Sequence, residues 1–211
     1  MDDLRKALGD ISSIRQQMAR TTVFRGYGPV TMAIIGGLAL SAALFQAFVL
    51  PDPAIHLRPY LTLWLATAFI CSVLSGVQMY TRARRMHSSL SDEMIHQAVE
   101  QFMPAVGAGA LVTAVLVSRV ASAVWMLPGL WQIIFSLGIF ASVRFLPRPM
   151  IAAAAWYLAC GLACLSLGDA RAFSPWAMGI PFSAGQFLVA AILHVTGGRD
   201  EARDGGRDEE R

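Results

Sequence analysis

Six apolar runs of about twenty residues dominate this chain, and none carries a Lys, Arg, Asp or Glu near its middle. A helix needs roughly 20 apolar residues to cross the roughly 30 Å hydrocarbon core of a bilayer. Six runs of that kind leave few folds open. They predict an all-α, polytopic membrane bundle with spans at Pro29–Leu50, Pro59–Tyr80, Gln101–Ser118, Ala123–Val143, Pro149–Gly168 and Ser174–Thr196. The composition agrees: 55% of the 211 residues are hydrophobic and 15% are charged, against roughly 25% charged in soluble domains. Little chain remains outside the spans, so residues 26–196 read as one transmembrane domain.

The flanks are of different material. Residues 1–25 are polar and charged and do not read as a cleavable signal. Within residues 3–22, Leu4, Leu8, Ile11, Ile14 and Met18 follow helical spacing, while Arg5, Lys6, Arg15 and Arg20 take other positions. That pattern predicts an amphipathic helix lying on anionic headgroups. Leu4, Ile11 and Met18 repeat by seven, which also suits pairing with a partner or a second copy. Residues 197–211 repeat Gly-Gly-Arg-Asp-Glu and hold nothing to bury, so they predict an unordered tail.

Arginine placement sets the expected orientation. Fourteen of the 17 basic residues fall in the N-terminal segment, the second and fourth connections and the tail. The other three connections hold Arg58, Arg119 and Arg171, one each. By the positive-inside rule both termini are cytoplasmic, as an even number of spans requires. Trp64, Trp125, Trp131, Trp176 and Tyr60 are expected in the outer aromatic belt, and Tyr27 and Tyr80 at the inner boundary. The net charge of +3 calls for no nucleic acid. Arg82, Arg84 and Arg85 after the second span are expected to contact anionic lipid.

Lipid gives helices no hydrophobic reason to associate, so small residues and polar contacts must hold the bundle. The expected contact faces are Gly37 and Ser41 on the first span, Gly107, Ala110 and Ala114 on the third, and Ala155, Ala159 and Ala163 on the fifth. Pro128 and Pro181 fall inside the fourth and sixth spans, where each is expected to kink the helix and free a carbonyl. Gln132 and Gln186 follow them closely. With Ser136 and Ser183 they define a candidate intramembrane polar pocket, against the plainer reading of amides that tie helices together.

Other chemistry is sparse. Glu93, His96 and Glu100 share one helical face before the third span, and Glu-x-x-His is a ligand spacing of di-iron bundles. Only one such motif occurs, so solvated surface residues are the better reading and no cofactor is expected. No intramembrane histidine pair is present to hold haem. Cys71, Cys160 and Cys164 read as small packing residues. Gly-rich phosphate loops and nucleophile motifs are absent from the sequence.

Four stretches, Phe24–Pro29, Arg82–Gly109, Trp125–Met150 and Phe173–Gln186, together resemble a group of small six-span membrane proteins of proteobacteria that carry no assigned activity. The resemblance covers nearly the whole chain except the tail. It implies a bacterial inner-membrane location and six spans, and transfers no catalytic residue, ligand or partner.

Three functions compete on this reading. The first is a non-enzymatic regulatory, sensory or accessory membrane component. The second is a small transporter or lipid-handling protein for a neutral or amphipathic substrate. The third, a metal-dependent membrane enzyme centred on Glu93, His96 and Glu100, has the least behind it.

Overall fold

Proline and glycine set most of the helix ends. The computed structural model describes residues 28–50, 56–86, 89–143 and 146–209, with side chains described for 28–50, 56–81, 100–143 and 146–196. Helix α1 (Pro29–Val49) opens on proline, whose missing N–H costs nothing in a first turn. Helix α2 (Leu57–Met86) follows, then α3 (Ser89–Arg119). A 3-10 turn at Ala121–Met126 leads into α4 (Leu127–Ser142). Helix α5 (Met150–Ser166) ends against Gly168, whose φ of +71° only glycine adopts without strain. A second 3-10 turn, Ala170–Phe173, precedes α6 (Pro175–Glu209). Among the described residues there is no strand.

Five stretches are long and apolar enough to cross a membrane: Pro29–Val49, Leu57–Thr81, Glu100–Arg119, Ala121–Ser142 and Pro175–Thr196. The sixth apolar helix, α5, has 17 residues, at the short end of the spanning range. Each expected span coincides with one of these helices to within a few residues. The α6 backbone continues as helix to Glu209, into the stretch where composition predicts no order. Extending an anchored helix needs no new nucleus.

Each helix packs against the next in the chain, and α6 returns to pack most extensively against α1. The result is a ring of six. Neighbours run antiparallel. Gly36 of α1 meets Ser183 and Gln186 of α6, while Ala43 further along meets Gly179. Small residues let these backbones approach. A Cβ on Gly129 of α4 would come within 2.8 Å of the Gly161 carbonyl on α5, and one on Gly161 within 2.8 Å of the Gly129 carbonyl. The two glycines thus exclude side chains from each other's backbone. Lower in the same seam, Phe135 stacks edge-on to Tyr157 at 4.8 Å, and Phe182 of α6 closes on both rings.

The contact faces differ from those expected. On α1 the buried residues are Met32, Ile35, Gly36, Ala39, Ala42, Ala43 and Gln46. Gly37 faces open space and Ser41 is exposed. On α5 the buried face is Ala153, Ala154, Tyr157, Gly161 and Cys164, while Ala155, Ala159 and Ala163 point outward. On α3 Ala110 and Ala114 are exposed and Gly107 faces open space; Phe102, Ala105 and Gly109 meet α4 instead. Every helix here carries small residues on more than one side, so smallness alone does not choose the face.

The aromatic belt is also corrected in part. Tyr60 and Trp64 are buried in the core, with Phe173 and Met178, rather than at a lipid interface. Trp176 and Tyr80 are exposed. Three tryptophans instead tie adjacent helices together through Nε1. Trp64 reaches α1, Trp131 donates to Thr113 of α3 at 2.8 Å, and Trp156 donates to the Pro181 carbonyl of α6 at 3.0 Å.

Candidate functional site: the buried glutamines

Among the described residues three glutamines lie buried in the bundle: Gln46, Gln132 and Gln186. A primary amide offers two donors and an acceptor, and a low-dielectric interior penalises any left unmade. Their partners therefore define what they do.

Gln46 is the most fully used. Its Nε2 donates to the Phe173 carbonyl at 2.7 Å, and its Oε1 accepts from Trp64 Nε1 at 2.7 Å. One side chain of α1 thus ties α2 to the 3-10 turn before α6. That turn carries Ala172 and Phe173 into the interior. The Phe173 ring packs edge-on to Tyr60 at 4.9 Å, and the Ala172 carbonyl accepts weakly from Cys164 Sγ at 3.9 Å. The turn therefore plugs one end of the ring. Outside it, Asp169 accepts from the Arg171 backbone N–H and from Arg171 Nε, each at 2.9 Å. The Arg171 side chain, and then its backbone N–H, hold the Asp169 carboxyl below its usual range. Sequence reasoning missed Gln46. The signal was its place at helical spacing from Ile35, Ala39 and Ala42, a polar residue in an otherwise apolar stripe.

Gln132 sits on α4 facing α6. Its Nε2 donates to the Ala177 carbonyl at 2.9 Å and lies 3.2 Å from the Pro128 carbonyl of its own helix. Ala177 lies four residues before Pro181, which is inside α6. Proline has no N–H, so the Ala177 carbonyl has no intrahelical partner at that position. Gln132 supplies the missing donor from another helix. The carbonyl that Pro181 is expected to free is therefore taken by Gln132 of α4, not by Gln186 of α6. Pro128 behaves otherwise than expected. It falls in the first turn of α4, after the 3-10 turn, and does not interrupt a helix. The Val124 carbonyl accepts from the Leu127 N–H.

Ser136 and Ser183 also donate to backbone carbonyls. Ser136 Oγ crosses to Ala154 of α5 at 2.7 Å, and Ser183 Oγ reaches Ile180 of its own helix at 3.3 Å. Gln186 differs. Its Oε1 is buried without a hydrogen bond, while its side chain lies within polar reach of the Tyr157 hydroxyl. Tyr157 needs Gly185 at this point, because a Cβ there would meet its hydroxyl. The Oε1 of Gln132 and the hydroxyl of Tyr60 are likewise buried without a hydrogen bond.

The remaining sequence candidates sit at the far end. Arg82, Arg84 and Arg85 lie in the last turns of α2, and Glu93 and His96 in the first turns of α3, with side chains outside the described residues. Glu100 is exposed. Among the described residues no three His, Cys, Asp or Glu gather as metal donors. The amphipathic segment 3–22 lies outside the described residues. At Gly28, where description begins, the backbone N–H donates to Gln78 Oε1 of α2 at 3.1 Å. Comparison of the chain with known protein families, with characterised proteins and with solved structures finds no match.

Proposed function

We propose that this chain is a six-span protein of a bacterial inner membrane, with both termini cytoplasmic, acting as a non-enzymatic regulatory, sensory or accessory component. The observation that carries the reading is the use made of the buried amides. Gln46 and Gln132 donate to backbone carbonyls of other segments, which is what interhelical ties do in lipid. A substrate path would leave those donors facing a lumen. The orientation rests on the basic residues, fourteen on one side against three on the other. The kinship with small six-span proteobacterial proteins belongs to the same proposal. So do contact of Arg82, Arg84 and Arg85 with anionic lipid and partner binding or self-association through residues 3–22.

A second reading has one observation in its favour. Gln186 Oε1 is buried without a hydrogen bond between α5 and α6, next to the Tyr157 hydroxyl, and uncharged polar groups of that kind suit a neutral or amphipathic substrate. Uptake and efflux of neutral and amphipathic solutes in proteoliposomes separate the two. The proposal expects no saturable flux above empty vesicles. Saturable flux that Gln186→Leu abolishes would replace it with the transport reading.

A further inference from the structure

Between the last turns of α1 and the first turns of α2 lies a groove of about 600 Å³. It is a shallow, open groove rather than an enclosed cavity, with a mostly apolar lining. Phe45, Val49, Leu63 and Ala66 form its apolar wall, Thr62 adds a hydroxyl, and among the described residues Arg58 is the sole charged one lining it. Phe45 and Val49 are exposed on the outside of the ring, so the groove opens towards lipid and not into the bundle.

Its axis matches the membrane. Arg58 is the second residue of α2, at the end of a spanning helix where hydrocarbon gives way to headgroups. Arg58, Thr62 and Ala66 follow at four-residue spacing, so they line one face of α2. At 1.5 Å per residue, Thr62 lies about 6 Å and Ala66 about 12 Å deeper than Arg58. Polarity falls along that line from guanidinium to hydroxyl to methyl. A phospholipid has the same gradient in phosphate, glycerol ester and acyl chain.

Arg171, at the same end of the bundle, is engaged by Asp169. Arg58 makes no ion pair among the described residues. A guanidinium presents a planar fork of donors that fits a phosphate's oxygens. A lipid whose headgroup adds its own cation competes with that pairing, whereas a net anionic headgroup does not. We propose that this groove is a binding site for one anionic phospholipid, with its phosphate on Arg58 and an acyl chain along Phe45, Val49, Leu63 and Ala66. The site is independent of the function proposed above.

The test uses the full chain in phosphatidylcholine vesicles carrying phosphatidylglycerol with a photoactivatable acyl chain, with labelled positions mapped by mass spectrometry. Label is expected to concentrate on Phe45, Val49, Leu63 and Ala66 over the exposed Phe69 and Val73 of α2. Unlabelled phosphatidylglycerol is expected to compete, and inorganic phosphate not. Arg58→Gln should lower groove labelling about fivefold, the worth of one basic residue near an anionic surface, and Arg58→Lys should recover part of it. Ala66→Trp, which fills the groove without touching the charge, should lower labelling of the groove whatever the headgroup. Even labelling along the lipid-facing residues of α2 and α3 would overturn the proposal. So would groove labelling unchanged by both Arg58→Gln and Ala66→Trp, equal labelling by a phosphatidylcholine probe, or competition by inorganic phosphate.

Discussion

The side-chain amide of Gln132 on α4 donates to the carbonyl of Ala177 on α6 at 2.9 Å. That carbonyl lacks an intrahelical donor because Pro181 follows four residues later. A proline in one helix and a glutamine in another are therefore one device. Their coupling is measurable. Gln132→Leu should cost about 0.6 kcal/mol in unfolding from mixed micelles, the mean for interhelical hydrogen bonds in membranes. In a Pro181→Ala background, where residue 181 regains an N–H, the same change should cost measurably less. Equal costs in both backgrounds would dissociate the two residues.

Gln46 makes a different prediction, because it holds two partners at once. Gln46→Leu leaves Trp64 Nε1 and the Phe173 carbonyl unpaired in the interior. The loss should be about 1–3 kcal/mol, larger than at Gln132. Adding Trp64→Phe to Gln46→Leu should cost less than Trp64→Phe costs alone, since the indole donor is already orphaned. A double-mutant cycle in detergent unfolding reads this directly.

The glycines sort by what stands opposite. Gly161→Ala places a methyl against the Gly129 backbone, so α4 and α5 must separate, at about 1–3 kcal/mol. Gly37→Ala and Gly107→Ala meet nothing within 4 Å and should leave stability unchanged or slightly raised. Thermal melts of the three single variants compare these outcomes. Destabilisation by Gly37→Ala equal to that of Gly161→Ala would mean that the contact face of α1 has been misidentified.

The Asp169–Arg171 pair sets a pH dependence confined to acid. The carboxyl titrates below its unfolded value of about 3.9. A depressed pKa adds stability that is fully present above the unfolded value and is lost as pH falls through the folded one. Asp169→Asn should therefore give a small melting difference that stays constant from about pH 5 to 8 and shrinks in stronger acid. A difference that grew towards low pH would have the wrong sign.

What the sequence made legible follows from the physics of lipid. Span positions depend on length and apolarity, both of which are written locally, and each expected run coincides with a helix. Contact faces depend on neighbours. In α1, Gly36 and Gly37 are adjacent and equally small, yet one meets Ser183 and the other meets nothing. In water, an amphipathic stripe would have decided between them. In lipid both sides are apolar, and that signal is lost. The polar residues fared better where a proline stood nearby. Pro181 implies a freed carbonyl and Gln132 stands out as an amide in an apolar run, but their pairing across α4 and α6 is tertiary. Gln46 had no such neighbour, and its role emerged only with Phe173, 127 residues away.

The proposed function turns on whether a partner or a second copy binds through residues 3–22. The most direct measurement isolates the tagged full-length chain from its native membranes in native lipid and determines the stoichiometry of whatever accompanies it, with and without residues 1–22. The account predicts a companion at fixed stoichiometry, a distinct protein or a second copy, that is lost when residues 1–22 are removed. A chain that isolates alone as a monomer, indifferent to that deletion, would contradict it.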